Sequence, residues 1–264
     1  MRNPPLIPES TPGTTPITAS RPRVPLVAVA HGSRDPRAAT TVEALLDLVR
    51  RERPGLPVRS AYLDHAPPTL GQALHGLTEA VVLPLLLTEA YHSRVDIPAA
   101  LAATTARNPR LRTHRATTLG PHPLLVAALE RRLGEAGVTP GDPGTAVVLV
   151  SAGSSDARAN AVVAGIARDW SRERPWWSVA TAYASAGSPT PAEAVRRLVR
   201  AGAPRIAVAP YLLAPGHFAD KIRRDALAAG AHVVADVLGP APELATLVLH
   251  RHTEALSSPE RLTG

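Results

Sequence analysis

The chain of 264 residues contains no cysteine. Disulfides, thiolate metal sites, iron–sulfur ligation and cysteine nucleophiles are therefore excluded, and any metal must be held by histidine and carboxylate. Aromatic side chains are scarce, with three Trp, four Tyr and one Phe. That is too few to build a base-stacking platform, and the cationic residues are scattered rather than clustered, so nucleic-acid binding is not expected. No apolar run approaches the ~18 residues of a membrane span. The best candidate, Val81 to Leu87, is interrupted by Pro84 and is strand-sized. The first 23 residues are rich in Pro, Thr and Ser, lack an apolar block, and separate Arg21 from Arg23 by a proline. They read as a disordered leader, neither a secretory nor a twin-arginine signal, which places the expected location in the cytoplasm. Walker A, G-x-G-x-x-G and G-x-S-x-G patterns are also absent, which removes nucleotide-dependent and serine-hydrolase chemistry from the first expectations.

What is present is a duplication. Val27 to Ala38 reads VAVAHGSRDPRA and Val148 to Ala159 reads VLVSAGSSDARA. Pro84 to Ile97 (PLLLTEAYHSRVDI) aligns with Pro210 to Ile222 (PYLLAPGHFADKI), one residue being deleted before the His, and Tyr62-Leu63-Asp64 aligns with Tyr183-Ala184-Ser185. The first copy thus carries His31, Asp64 and His92, whereas the second has Ala152, Ser185 and His217 at the corresponding places. The net charge of +7 comes almost entirely from Arg, with Lys221 the single lysine. Guanidinium forks suit an anionic partner, although Arg in place of Lys beside abundant Ala and Pro is also what a GC-rich genome encodes.

The length and the repeat together predict two domains of roughly 115 to 125 residues, each large enough to bury its own core. We place them at 24–138 and 145–257, divided at the turn-rich TPGDPG of Thr139 to Gly144. Strands are expected at Leu26–Ala30, Val58–Leu63, Ala80–Leu87 and His114–Leu119, with helices from Pro36 to Arg53, Thr69 to Thr78, Ile97 to Arg107 and Pro123 to Ala136. The second half repeats that order, with strands Ala146–Val150, Ser178–Tyr183, Arg205–Leu212 and His232–Val237. Strands alternating with helices of this length imply right-handed crossovers and a parallel sheet covered on both faces, so the fold class is α/β, two tandem doubly wound domains facing across a cleft.

In such sheets ligands sit at the carboxyl ends of the strands, where His31, Asp64 and His92 all fall. Two imidazoles and a carboxylate suit Fe²⁺, Co²⁺, Ni²⁺ or Zn²⁺ and leave coordination positions open for substrate. Each residue has a blander reading. His31 could be a turn residue before a helix, His92 a surface residue, and Asp64 an acceptor for backbone N–H groups in the turn before Pro67. Their common register favours a shared site in the first half. Arg34, Arg37 and Arg94 could clamp an acidic substrate or merely face solvent, and Ser33 stands near a helix N-terminus suited to an anion. His217 is either a remnant or a ligand contact from across the cleft. His65, His75, His114, His122, His250 and His252 lack this register, His65 being at most a neighbour of the site.

At AHGSRDP (Ala30 to Pro36), YLDHAPPT (Tyr62 to Thr69) and PLLLTEAYHSRVDIP (Pro84 to Pro98) the chain resembles the sirohydrochlorin chelatases, class II tetrapyrrole chelatases that insert Co²⁺ or Fe²⁺ into sirohydrochlorin on the routes to cobalamin and siroheme. The resemblance continues more weakly through the second half, as in two-domain members built from two fused copies. It implies that His31 and His92 bind metal and act in catalysis, with Asp64 standing where the family has Glu. Further implications are a tetrapyrrole bound between the domains, a metal that is substrate with no permanently bound cofactor, Fe²⁺ slightly ahead of Co²⁺, and a monomer in which fusion replaces dimerisation. The alternative is a non-catalytic carrier of metal or tetrapyrrole. A histidine phosphatase also places His-Gly after its first strand, but there the nucleophile normally follows Arg, and here Ala30 precedes His31.

Overall fold

A computed structural model describes residues 23–89 and 95–257. Its first sheet is built from β1 (Leu26–Ala30), β2 (Val58–Tyr62), β3 (Glu79–Pro84) and β4 (Arg112–Arg115), all parallel in the order β2-β1-β3-β4. The second, from β5 (Thr145–Ser151), β6 (Ser178–Tyr183), β7 (Arg205–Tyr211) and β8 (Val233–Val234), repeats that order as β6-β5-β7-β8. The doubly wound α/β expectation is met in both halves.

Side chains alternate across each sheet, so one strand feeds two cores. Val27 and Val29 face outward under α2 (Leu70–Leu74) and α3 (Ile97–Arg107), while Leu26, Ala28 and Ala30 face inward onto α1 (Pro36–Glu52). In the second half Val148 and Val150 face α6 (Pro191–Arg200) and α7 (His217–Ala228), and Val147 and Leu149 point inward, toward α5 (Ala157–Glu173).

The inward faces share one core, and here the structure departs from the expectation that each half buries its own. Helix α4 (Pro123–Glu135) ends the first half in sequence but lies against β7 of the second sheet. Helix α8 (Pro242–Ser257) ends the second half and lies against α1, β3 and β4 of the first. The two helices also pack on each other, joined by Arg131 to Glu243 at 2.6 Å. Glu130 of α4 accepts from Trp170 Nε1 (3.0 Å) and pairs with Arg174 (2.8 Å), both from the second half. In the reverse direction, Arg251 of α8 donates to the carbonyls of Thr118 and Leu119, and His252 meets the Val24 carbonyl at 2.9 Å, just before β1. Amphipathic periodicity shows that a helix has an apolar face, not which sheet covers it, so this exchange is invisible in the sequence.

Several elements are shorter than their apolar runs. Helix α2 stops at Leu74 because Gly76 follows at φ +75°, and β4 occupies Arg112–Arg115 rather than His114–Leu119. The buried Ala116 and Leu119 continue beside β3 as irregular chain, with N–H groups bonded to the carbonyls of Val82 and Leu86. Likewise β3 ends at Pro84 and β8 is confined to Val233–Val234, whereas β5 extends one residue beyond its expected range at each end, to Thr145–Ser151. Among the described residues no helix is long and apolar enough to cross a membrane.

Candidate metal and substrate site

The order β2-β1-β3-β4 reverses chain direction beside β1, so the carboxyl ends of β1, β2 and β3 open onto one crevice. His31 leaves the end of β1 and Asp64 follows β2 by two residues. Their loops are fastened to each other: Leu63 N–H donates to the Ala30 carbonyl at 3.1 Å and Asp64 N–H to the His31 carbonyl at 3.0 Å. Gly32 makes this possible. Its φ is +94°, and a Cβ there would sit 1.8 Å from the Asp64 carbonyl oxygen, a position no side-chain-bearing residue could take without moving the Asp64 loop. Both His31 and Asp64 are exposed, as residues must be if they receive a metal and release it.

The loop then folds onto α1. Ser33 Oγ accepts from Asp35 N–H at 3.0 Å, and Asp35 caps the helix by accepting from Arg37 N–H at 3.0 Å. The Arg37 guanidinium returns to Asp35 (2.6 Å) and also crosses to Asp220 of α7 in the second half (2.6 Å). It holds both carboxyls below the usual range, and they in turn raise its own affinity for the proton. Arg37 is thus a clasp between the halves, its charge already met by two carboxylates. Arg34 is exposed on the same loop.

His217 opens α7, one residue after Gly216 (φ +153°), and is exposed with its ring 5.8 Å from that of Phe218. Since Asp220 of the same first turn meets Arg37, His217 stands across the opening from the first-half loops. His92 and Arg94 lie outside the described residues. Among the described residues no three His, Asp or Glu side chains are gathered for a metal, so His31 and Asp64 are the part of the expected trio whose placement is described. His65 follows Asp64 with φ +64° and an exposed side chain. The remaining histidines serve locally: His114 meets Glu79 at 2.8 Å, His122 caps α4, and His232 Nδ1 accepts from Ile206 N–H.

The second half keeps the scaffold without the ligands. Ser185 N–H donates to the Ala152 carbonyl at 2.9 Å, Ser154 Oγ accepts from Asp156 N–H at 3.0 Å, and Gly153 has φ +85° with a Cβ position 2.4 Å from the Ala186 oxygen. The Gly-Ser-x-Asp part of the repeat is therefore a folding device common to both halves, and what distinguishes the first is the pair His31 and Asp64.

Two residues not singled out in the sequence shape the crevice. Tyr211, at the end of β7, donates its hydroxyl to the Leu87 carbonyl at 3.1 Å, tying the second half to the segment that leads from β3 to His92. It is fully buried, which pushes its phenol above the ordinary value. Arg158, at the start of α5, lines an open cavity of about 360 Å³ with Glu89, Thr117, Pro121, Val162 and Arg251. Arg158 aligns with Arg37 in the repeat, a signal the sequence did hold.

Comparison with known proteins locates this arrangement. The CbiX family model matches the chain twice, at residues 25–136 and 146–255. A sirohydrochlorin cobaltochelatase of Priestia megaterium is 29% identical over 71% of this chain, which spans 63% of that protein's length. A sirohydrochlorin ferrochelatase of the same organism is 28% identical over 87% of this chain and 90% of its own. The solved structure of SirB from Bacillus subtilis with Fe³⁺ superposes with a TM-score of 0.79 at 26% identity, covering 89% of this chain and 96% of that one.

Proposed function

The chain belongs to the CbiX family, whose model covers both halves, and from that membership we propose that it is a sirohydrochlorin chelatase, a lyase inserting Fe²⁺ or Co²⁺ into sirohydrochlorin. The observation that carries the reading is the asymmetry of the two crevices. Identically fastened loops present His31 and Asp64 in one half and Ala152 and Ser185 in the other, so ligand chemistry has been kept on one side of a scaffold that is otherwise duplicated. The curated relatives named above are chelatases for both metals, in keeping with a donor set that iron and cobalt accept alike.

In this mechanism His31, Asp64 and His92 hold the incoming metal through two imidazoles and one carboxylate, leaving positions open for the pyrrolic nitrogens. Exposure of the His31 and Asp64 side chains lets ligand exchange proceed stepwise from protein to ring. Each divalent ion displaces two protons from the macrocycle. Imidazole, which as a class titrates near neutrality, is the acceptor at hand. Ser33, whose hydroxyl hydrogen is not used in its bond to Asp35, Arg34 and His217 stand at the opening as contacts for the acidic substrate, and Arg94, outside the described residues, is proposed to join them. Arg37 contributes by closing the halves on each other rather than by presenting an unpaired charge.

The test is anaerobic absorbance spectroscopy of sirohydrochlorin with limiting protein and excess Fe²⁺ or Co²⁺, beside His31→Ala and His92→Ala. Many turnovers per protein, lost in both variants, are expected, and the faster metal identifies the preferred one. A spectral change that stops at one equivalent, or no acceleration over metal alone, would overturn catalysis and leave a carrier.

A further inference from the structure

The repeat supplies two equivalent arginines whose surroundings differ. Arg37 and Arg158 each stand two residues after a capping aspartate that accepts their N–H, Asp35 at 3.0 Å and Asp156 at 2.9 Å. Arg37 is locked by Asp35 and by Asp220 across the halves. The residue that aligns with Asp220 in the first half is Val95, which carries no charge and is 42% exposed. Arg158 accordingly has an exposed guanidinium with no hydrogen-bond or ion-pair partner among the described residues. Duplication has left one arginine as a clasp and the other, among the described residues, without a carboxylate.

The place where Arg158 stands is not open surface. It is on the wall of the 360 Å³ cavity, which joins the segments leaving β3 and β4 of the first sheet to the start of α5 in the second half. Glu89 on this wall belongs to the same segment as His92, and β3 neighbours β1, from which His31 emerges. The cavity therefore adjoins the crevice along the same sheet edge. Arg251, also on the wall, is spent on the carbonyls of Thr118 and Leu119 and on Glu254 (2.8 Å), so it adds positive charge without a fork to offer. Glu89 is itself already engaged. Val162, Ala159 and Pro121 supply apolar surface, and the exposed Thr117 adds a hydroxyl. A cationic fork beside a small apolar wall suits a carboxylate on a short carbon arm.

Resting on the chelatase reading above, the geometry points to Arg158 as a substrate-binding residue that pairs bidentately with one peripheral carboxylate of the tetrapyrrole, seating one edge of the macrocycle in this cavity while the metal is held at His31 and Asp64. The second half thus takes part in substrate recognition although it has lost the metal ligands. Such a contact is made alike in ground and transition state, so its loss raises KM and leaves kcat.

Arg158→Ala and Arg158→Lys are compared with the wild type and with Arg168→Ala, an exposed arginine further along α5. Steady-state metallation, tetrapyrrole affinity without metal, and Co²⁺ affinity without tetrapyrrole are measured for each. For Arg158→Ala a rise of roughly 10- to 50-fold in KM and in the tetrapyrrole Kd is expected, with kcat within about 2-fold and Co²⁺ affinity unchanged. The lysine variant should fall between, Arg168→Ala should match the wild type, and esterifying the substrate's carboxylates should erase the difference between wild type and Arg158→Ala. A wild type that binds and metallates sirohydrochlorin beside an unchanged Arg158→Ala overturns this assignment alone. A wild type that does neither overturns it together with the proposed function.

Discussion

Gly32→Ala offers the sharpest test of how the backbone sets the site, because the second half contains its own control in Gly153→Ala. An L-residue in the left-handed region costs about 1–2 kcal/mol. The larger effect is displacement. A Cβ at position 32 would lie 1.8 Å from the Asp64 oxygen, and ordinary contact begins at 3.4 Å, so that carbonyl must recede by roughly 1.6 Å. Metal–ligand distances tolerate about 0.2 Å, and misplacement by 1 Å in a reacting site can cost about 100-fold. Gly32→Ala should therefore lower stability by about 3 kcal/mol and weaken Co²⁺ binding and metallation at least ~100-fold. Gly153→Ala meets the Ala186 carbonyl at 2.4 Å and should cost a comparable amount of stability, yet leave Co²⁺ affinity within about 3-fold, since no ligand follows it. Urea unfolding and Co²⁺ titration of both variants decide the matter. Equal loss of metal binding in the two, or Gly32→Ala that binds Co²⁺ like the wild type, would refute the reasoning.

Three further perturbations follow from particular contacts. Tyr211→Phe removes the hydroxyl that holds the Leu87 carbonyl, so urea unfolding should show a loss of about 1 kcal/mol and Co²⁺ titration a weakening of several-fold as the segment bearing His92 loosens; an unchanged metal affinity would deny the tether a role at the site. His252 is buried with its Nε2 on the Val24 carbonyl and its Nδ1 without a partner among the described residues, and burial lowers its pKa. The unfolded chain then takes up that proton first, so stability is full above the ordinary imidazole value of about 6.5 and falls as pH drops below it; urea midpoints between pH 7.5 and 5 should show this slope, and His252→Gln should flatten it. Ala152→His combined with Ser185→Asp places imidazole and carboxylate on the retained second-half loops, and Co²⁺ stoichiometry should rise from one to two; a folded variant that still binds one would show that the loop geometry alone does not make a ligand pair.

The repeat made the fold legible. Alternating apolar strands and helices with Pro at their first positions point to nearly all sixteen elements of the described residues, since local periodicity and capping decide those. Exchange of α4 and α8 was hidden because Leu125, Leu129, Leu244 and Val248 only require burial, and the shared central core satisfies that from the opposite half. The edge strands β4 and β8 are overextended in that reading because Ala116 and Leu119, like Ala235 and Leu238, are buried without forming ladders. For the site, the placement of His31 and Asp64 at neighbouring strand ends was readable from spacing alone. The clasp from Arg37 to Asp220 was not, because the partners are 183 residues apart and a lone arginine after a strand reads equally as a substrate contact. Arg158 was within reach of the repeat alignment, but its open environment depends on what stands opposite, which only three dimensions supply.

On the function proposed above, one half holds the metal on His31, Asp64 and His92 while the other keeps the scaffold. Crystals soaked anaerobically in Co²⁺ and measured at the cobalt absorption edge test it directly. One strong anomalous peak is expected at bonding distance from His31 and His92 with the Asp64 carboxylate beside it, and none at the loops of Ala152 and Ser185. A peak on His217 with His31 unoccupied, or no ordered cobalt in the first-half crevice at saturating metal, would contradict it.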